Sequence, residues 1–203
     1  MAQYKKDDIK KKIDGAALSI FTEKGYASSS ISDIAKKAQV SVGNIYRYYK
    51  SKDDIFYTIV PEDFKERLKG VLLNKISYAK DAVAGENAAS EPFSLINGEF
   101  IGLMASNREI MLILFTGAGG TRYAALKDEV IDYLIKTVKE NYSGKDNEVI
   151  FDGRNDHVVR SIYMKLIEMI MDVLKVSGTP AELKSLLNII NSYHLFGVTK
   201  LFR

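Results

Sequence analysis

The chain has 203 residues, 46% hydrophobic and 27% charged, the composition of an ordinary globular protein. It has no cysteine, which excludes a disulfide framework and any thiolate metal site. Its net charge of +3 is uneven: residues 1–52 hold 11 Lys and Arg against 5 Asp and Glu, a basic end suited to a polyanionic partner.

The opening stretch MAQYKKDDIKKK is charged and lacks the apolar core of a signal sequence. No apolar run reaches the roughly 18 residues of a membrane span, so the expectation is a cytoplasmic protein with no membrane partner. From about Asp7 to Lys24, the spacing of Ile9, Ile13, Ala17, Ile20 and Phe21 predicts an amphipathic helix. Asp7 or Asp8 can cap it, Lys5, Lys6, Lys10, Lys11 and Lys12 crowd its start, and Gly25 ends it. Tyr26 is expected to pack beneath the head that follows.

Ser30 is a good N-cap, with Asp33 near the place of a capping-box acid. Ile31, Ile34, Ala35 and Ala38 then recur at helical spacing. Val40 is a buried turn residue, and Ser41 caps a second helix expected to run through Tyr48. Ile45 and Tyr49 face inward. Val42, Asn44, Tyr46, Arg47 and Tyr48 are left to face outward, with Gly43 small enough to let a partner approach the backbone. An amide, a guanidinium and phenol hydroxyls suit base edges and phosphate oxygens. On spacing alone, an ordinary helical hairpin with a solvated basic face remains an alternative.

The stretch SISDIAKKAQVSVGNIYRYYKSKDDIF resembles the DNA-binding signature of the TetR family of transcriptional regulators. The matching parts are Ile34-Ala35, Val40-Ser41, Gly43, Ile45-Tyr46, Tyr48-Tyr49, Lys52 and Asp54-Ile55-Phe56. They cover about the first quarter of the chain, and the rest resembles the family only in length and helical pattern. One departure is Gln39, where the family usually has glycine in a left-handed turn. The resemblance implies an all-α fold, with a three-helix helix-turn-helix head (1–52) on a larger ligand-binding and dimerisation bundle (53–203). It also implies a ligand-responsive repressor that binds a near-palindromic operator in double-stranded DNA as a homodimer. The residues expected at the DNA are Ser30, Ser32, Ser41, Val42, Gly43, Asn44, Tyr46, Arg47, Tyr48 and Lys52. Asn44 is expected to read bases, and Arg47 and Lys52 to hold phosphates.

Ser51 or Lys52 opens a fourth helix, which Pro61 should interrupt near Val60. An apolar stripe from Phe64 to Ile76 continues to about Ala84, and a loop is expected from Gly85 to Phe93. Helices follow near Phe93–Met104 and Arg108–Thr116. Gly117-Ala118-Gly119-Gly120 reads as a flexible turn, since no Gly-Lys-Ser or Gly-Lys-Thr follows to make a phosphate loop. A helix from Thr121 to Tyr142 precedes a polar stretch from Ser143 to Asp156.

The next helix, Asp156–Lys175, is apolar on nearly two faces. The last, capped by Thr179 with Pro180 in its first turn, again exceeds one stripe. Together they predict a four-helix dimer interface through Ile162, Leu166, Ile170, Leu187, Ile190 and Phe196. Soft and aromatic side chains in the middle helices (Phe100, Met104, Met111, Phe115, Tyr123 and Tyr163) are candidates to line a pocket for a small apolar or amphipathic effector. That pocket is chiefly an implication of the resemblance. His157 and His194 lack partners at metal spacing, and no catalytic motif occurs, so no metal, cofactor or enzyme activity is expected. The alternatives are a small-molecule-binding helical protein without specific DNA reading and, further off, an enzyme on a helical scaffold.

Overall fold

All regular structure among the described residues, 2–72, 91–142 and 155–201 of this computed structural model, is helical. Compactness groups the residues up to Phe64 with Glu109–Leu126 as one unit. The described parts of Lys65–Arg108 and Lys127–Arg203 form the other.

In the first unit, α1 (Ala2–Lys24) starts earlier than its acidic cap residues suggested. It buries Ile13, Ala16, Ala17, Ile20 and Phe21, while Ile9 is half-buried. Gly25 ends it with a left-handed φ of 74°, its N–H returning to the Phe21 carbonyl at 2.9 Å. α2 (Ile31–Ala38) opens on a complete capping box. Ser30 Oγ accepts from the Asp33 N–H at 3.1 Å, and the Asp33 carboxylate accepts from the Ser30 N–H at 3.0 Å. α2 closes at Gln39, whose φ of 57° and ψ of 41° are the left-handed turn itself. The Val40 N–H bonds the Ala35 carbonyl at 3.0 Å there, so the turn forms without glycine.

α3 is shorter than expected. It spans Val42–Ile45 and gives way to turn residues at 46–48. The backbone tightens there, with Arg47 and Tyr48 N–H groups bonding Asn44 and Ile45 carbonyls at 3.3 and 2.9 Å. Ile45 and Tyr49 are buried, as expected. α4 (Lys52–Ile59) is capped by Ser51, which accepts from the Asp54 N–H at 3.1 Å. Val60 is extended because Pro61 disfavours helix at the residue before it, and helix resumes at 64–72 (α5).

The core of this unit is aromatic. The rings of Phe21, Tyr26 and Phe56 lie 5.0 to 5.6 Å apart, tilted or edge to face. Glu109–Leu126 belongs to the same packing. Here α7 (Arg108–Leu112) runs into a single π-helical turn, Ile113–Gly117, that buries Ile113, Leu114 and Phe115. The expectation of a flexible turn at Gly117–Gly120 is corrected at its first residue. The Gly117 carbonyl accepts from the Tyr26 N–H at 2.8 Å, and a Cβ on Gly117 would meet Gly25 Cα at 3.0 Å. Two backbones touch at this point, and a side chain on either glycine would force them apart by a few tenths of an ångström or more.

An electrostatic lock joins α1 to α2. Lys24 donates to Asp33 at 2.8 Å, and Lys37 pairs with Glu23. The Lys24 ammonium, followed by the Ser30 hydroxyl, holds the Asp33 carboxyl down at about 2. A carboxyl depressed in the folded state stabilises above its unfolded value of 3.8 and loses that contribution as pH falls toward 2. Asp33→Asn should therefore lower the thermal midpoint at pH 6, with the gap to the unsubstituted chain narrowing between pH 4 and pH 2 in a calorimetric series.

In the second unit, α6 (Glu91–Ser106), α8 (Leu126–Tyr142), α9 (Asp156–Val176) and α10 (Pro180–Leu201) are the described helices besides α5. The start of α6 at Glu91 makes part of the expected 85–93 loop helical, and the remainder of that loop lies outside the described residues. α10 packs on both α9 and α6. Thr179 caps α10 by accepting from the Glu182 N–H at 3.1 Å, and Arg108 closes the end of α9 by donating to the Lys175 carbonyl at 2.7 Å.

Two faces of α9 are apolar, but they differ in fate. Val159, Tyr163, Ile167, Ile170, Met171 and Leu174 are buried in the unit's own core. Val158, Ile162, Leu166, Met169, Val173 and Val176 form a second stripe that is half-buried or exposed. On α10, Leu183, Leu187 and Ile190 are buried, whereas Ile189 and Tyr193 are 65% and 73% exposed. Burial within the subunit divides the expected interface set. Ile170, Leu187 and Ile190 cover their own core, while Ile162 and Leu166 stay on the uncovered stripe. The Phe196 side chain lies outside the described residues.

Candidate nucleic-acid interface

The head presents its short third helix through three caps in succession. Ser30, Ser41 and Ser51 each accept a backbone N–H three residues on, at Asp33, Asn44 and Asp54, all at 3.1 Å. Each serine sets the direction of the helix that follows. Ser30 and Ser41 thus hold the head together, and Ser32 is exposed on α2. Exposure divides the rest of the expected set. Val42, Gly43, Tyr46 and Arg47 are exposed, while Asn44 and Tyr48 are half-buried. Residues 42 and 46, and 43 and 47, lie four apart, so they make one continuous outer surface. A Cβ on Gly43 would meet nothing closer than Ser41 Oγ at 4.0 Å, which leaves the backbone open to a partner. The outward face is therefore centred on Val42 and Tyr46 rather than on Asn44 and Tyr48.

Lys52 has a different place from the one expected. Its ammonium donates to the Tyr26 and Ser29 carbonyls, both at 2.8 Å, and lies 4.1 Å from the centre of the Tyr26 ring. Tyr26 in turn donates its hydroxyl to the neighbouring Asp53. Lys52 thus ties the start of α4 to the loop between α1 and α2. Sequence spacing could not reveal this, because the partners lie more than 20 residues away and are carbonyls, which every residue carries. A second clamp lies on the other flank of α3. Tyr49 donates to Asp14, Lys10 bonds the same carboxylate at 3.0 Å, and burial pushes the Tyr49 phenol up to about 12. Lys36, Arg47 and Lys50 are exposed around this face. They are free to approach phosphates in a way Lys52 is not.

The residues expected to line an effector pocket divide between the two units. Met111, Phe115 and Tyr123 are buried in the first unit, and Phe100, Met104 and Tyr163 in the second. Tyr123 packs at 6.2 Å from Tyr57, with the Arg122 guanidinium 4.4 and 5.0 Å from the two rings, and Tyr163 meets His194 edge to face at 5.4 Å. A cleft of about 540 Å³ does open in the second unit, between α5 and α6, lined by Arg67, Val71, Glu99, Leu103, Ser106 and Asn107. Apolar composition does not mark it, because its lining is mixed and includes Gly70 and Gly102.

Comparison with known proteins agrees with this geometry. Residues 14–58 match the family model described as bacterial regulatory proteins, tetR family. The chain is 30% identical over 98 residues to the fatty acid metabolism regulator protein of Bacillus subtilis (strain 168), covering 48% of this chain and 46% of that one. It is 41% identical over 51 residues to the HTH-type transcriptional regulator HbdR of Aromatoleum sp. (strain CIB), covering 25% and 22%. It is 32% identical over 78 residues to the biofilm operon icaADBC HTH-type negative transcriptional regulator IcaR of Staphylococcus aureus (strain Newman), covering 37% and 41%. These matches span less than half the length of each relative. In fold, the chain is similar to a TetR-like transcriptional regulator from Rhodococcus sp. RHA1, with a TM-score of 0.51 at 20% identity over 94% of this chain and 96% of that one. The head, from within α1 through α4, thus matches the TetR family of bacterial regulatory proteins, and the whole chain shares the all-helical fold of a TetR-like regulator.

Proposed function

We propose that this chain is a DNA-binding transcriptional repressor that acts as a homodimer on a near-palindromic operator and responds to a small apolar or amphipathic effector. The observation that carries this reading is the exposed face of α3. A helix held by caps and clamps on both sides leaves Val42, Gly43, Tyr46 and Arg47 outward, ringed by exposed Lys36 and Lys50. Such a face fits the major groove, with the cations on the flanking phosphates. The uncovered stripe on α9 and α10 supports a partner copy, which would set the spacing of two heads. The reader is assigned to residues 1–52 and effector binding and dimerisation to 53–203. The cleft beside Arg67 and Leu103 is the preferred effector site, because it combines the apolar Val71 and Leu103 with a cation, a carboxylate and the Asn107 amide. The name of the Bacillus subtilis relative makes fatty-acid derivatives the first compounds to assay.

The test is duplex binding across a salt series. Specific and random duplexes should both be bound, with log affinity falling steeply and linearly against log salt. Lys50→Ala should weaken both duplexes and flatten that slope by about one unit. Lys52→Met should leave the slope unchanged and instead cost about 2–3 kcal/mol of head stability, since two buried-side carbonyls lose a charged donor. A slope flattened equally by Lys52→Met would return that residue to the phosphates. Binding that is absent or insensitive to salt would sink the regulator reading.

A further inference from the structure

Large apolar side chains that stand exposed among the described residues fall into two groups. Val158, Val176, Ile189 and Tyr193 lie on α9 and α10, where a partner copy accounts for them. Val42 and Tyr46 lie on α3, where nothing in the fold does. The head buries Ile34, Ile45, Tyr49, Ile55 and Phe56 almost completely, yet leaves Val42 38% and Tyr46 55% exposed. Val42 stands exposed and the helix is nucleated by Ser41, so Val42 serves neither core nor cap.

An isopropyl group neither donates nor accepts a hydrogen bond. Its occupant must therefore offer an apolar atom, and it must do so within a polyanion, because exposed Lys36, Arg47 and Lys50 surround the site. In the major groove of B-DNA each base pair displays donors and acceptors, and among the four ordinary bases only thymine adds a methyl group. We propose that Val42 selects thymine at one position of each half-site by burying its C5-methyl, with the Tyr46 ring extending the same apolar surface. This rests on the DNA-binding reading above and names what the exposed face reads. It also moves the information away from Asn44, whose backbone N–H is held by Ser41 and whose side chain is half-buried.

The experiment uses the full chain. Binding duplexes are selected from a random-sequence pool, and each thymine of the preferred site is then replaced in turn by deoxyuridine, which removes the 5-methyl alone. One thymine in each half-site should be sensitive, with affinity falling about fourfold when its methyl is absent, the scale of one buried methyl group. Val42→Ala, which removes the contact from both half-sites of the dimer, should lose about 16-fold on the parent duplex, keep its thermal midpoint, and be indifferent to deoxyuridine at that position. Arg47→Ala, weaker overall, should keep the full deoxyuridine effect. A preferred duplex that tolerates deoxyuridine everywhere, or a Val42→Ala chain that retains the same sensitivity, overturns the thymine contact while leaving DNA binding intact. A pool that yields no preferred duplex overturns the DNA reading itself, and this inference with it.

Discussion

Ile189→Asp should yield a monomer at micromolar concentration, with secondary structure and thermal midpoint close to those expected of the folded subunit. Ile189 is 65% exposed on α10, so within one chain a charge there disturbs nothing and should alter subunit stability by no more than about 0.5 kcal/mol. Across an interface the same charge is buried without a partner, which costs several kcal/mol for each copy. Operator affinity should fall with the dimer, by about 10²-fold or more, because the second head no longer binds at the effective concentration set by the first. Leu187→Ala is the matched control. Leu187 is 3% exposed and lies two residues away on the opposite face, so its truncation should cost about 2–5 kcal/mol of subunit stability. Sedimentation velocity and thermal melts separate the two outcomes. An Ile189→Asp chain that stays dimeric would remove α10 from the interface.

Phe56→Ala should cost the first unit about 3–5 kcal/mol and abolish duplex binding without touching any residue that faces DNA. Phe56 is fully buried and meets Phe21, Tyr26, Tyr57 and Tyr123 at ring distances of 5.0 to 6.4 Å. It is the ring through which α1, α4 and the Glu109–Leu126 segment share one core. The Tyr26 that it supports also carries the Lys52 clamp and the backbone bond to Gly117. The uncovered stripe of α9 and α10 belongs to the other unit, so the variant should keep the oligomeric state of the unsubstituted chain in sedimentation while its melt gains an early transition. A single unshifted transition would show that the aromatic cluster is not what holds the reader.

Much of the reader was legible in the sequence because its determinants are local. Ser30, Ser41 and Ser51 announce helix starts through side chains that bond a backbone N–H three residues away, and Asp33 completes its box at the same spacing. Pro61 breaks its helix through its own ring. The period of Ile13, Ala17, Ile20 and Phe21 marks a buried face whatever lies against it. The effector set was less legible for the converse reason. Met111 and Phe115 are as apolar as pocket walls, but composition cannot tell a wall from a core.

By itself, the sequence determined the helical class, the order of caps and turns in the head, the excess of apolar surface on α9 and α10, and the head's likeness to TetR-type readers. These rest on interactions within a few residues or on periodicity, both of which are written along the chain. Tertiary structure alone decided which face of α9 is left over, that Ile170, Leu187 and Ile190 belong to the subunit core, and that Gly117 lies against Gly25. It alone gave Lys52 to the Tyr26 and Ser29 carbonyls and turned Val42 and Tyr46 outward in place of Asn44. Each of these depends on a partner far away in sequence. A side chain's role is then set by which of its neighbours arrives first to desolvate it or bond it, and only the packed chain specifies that.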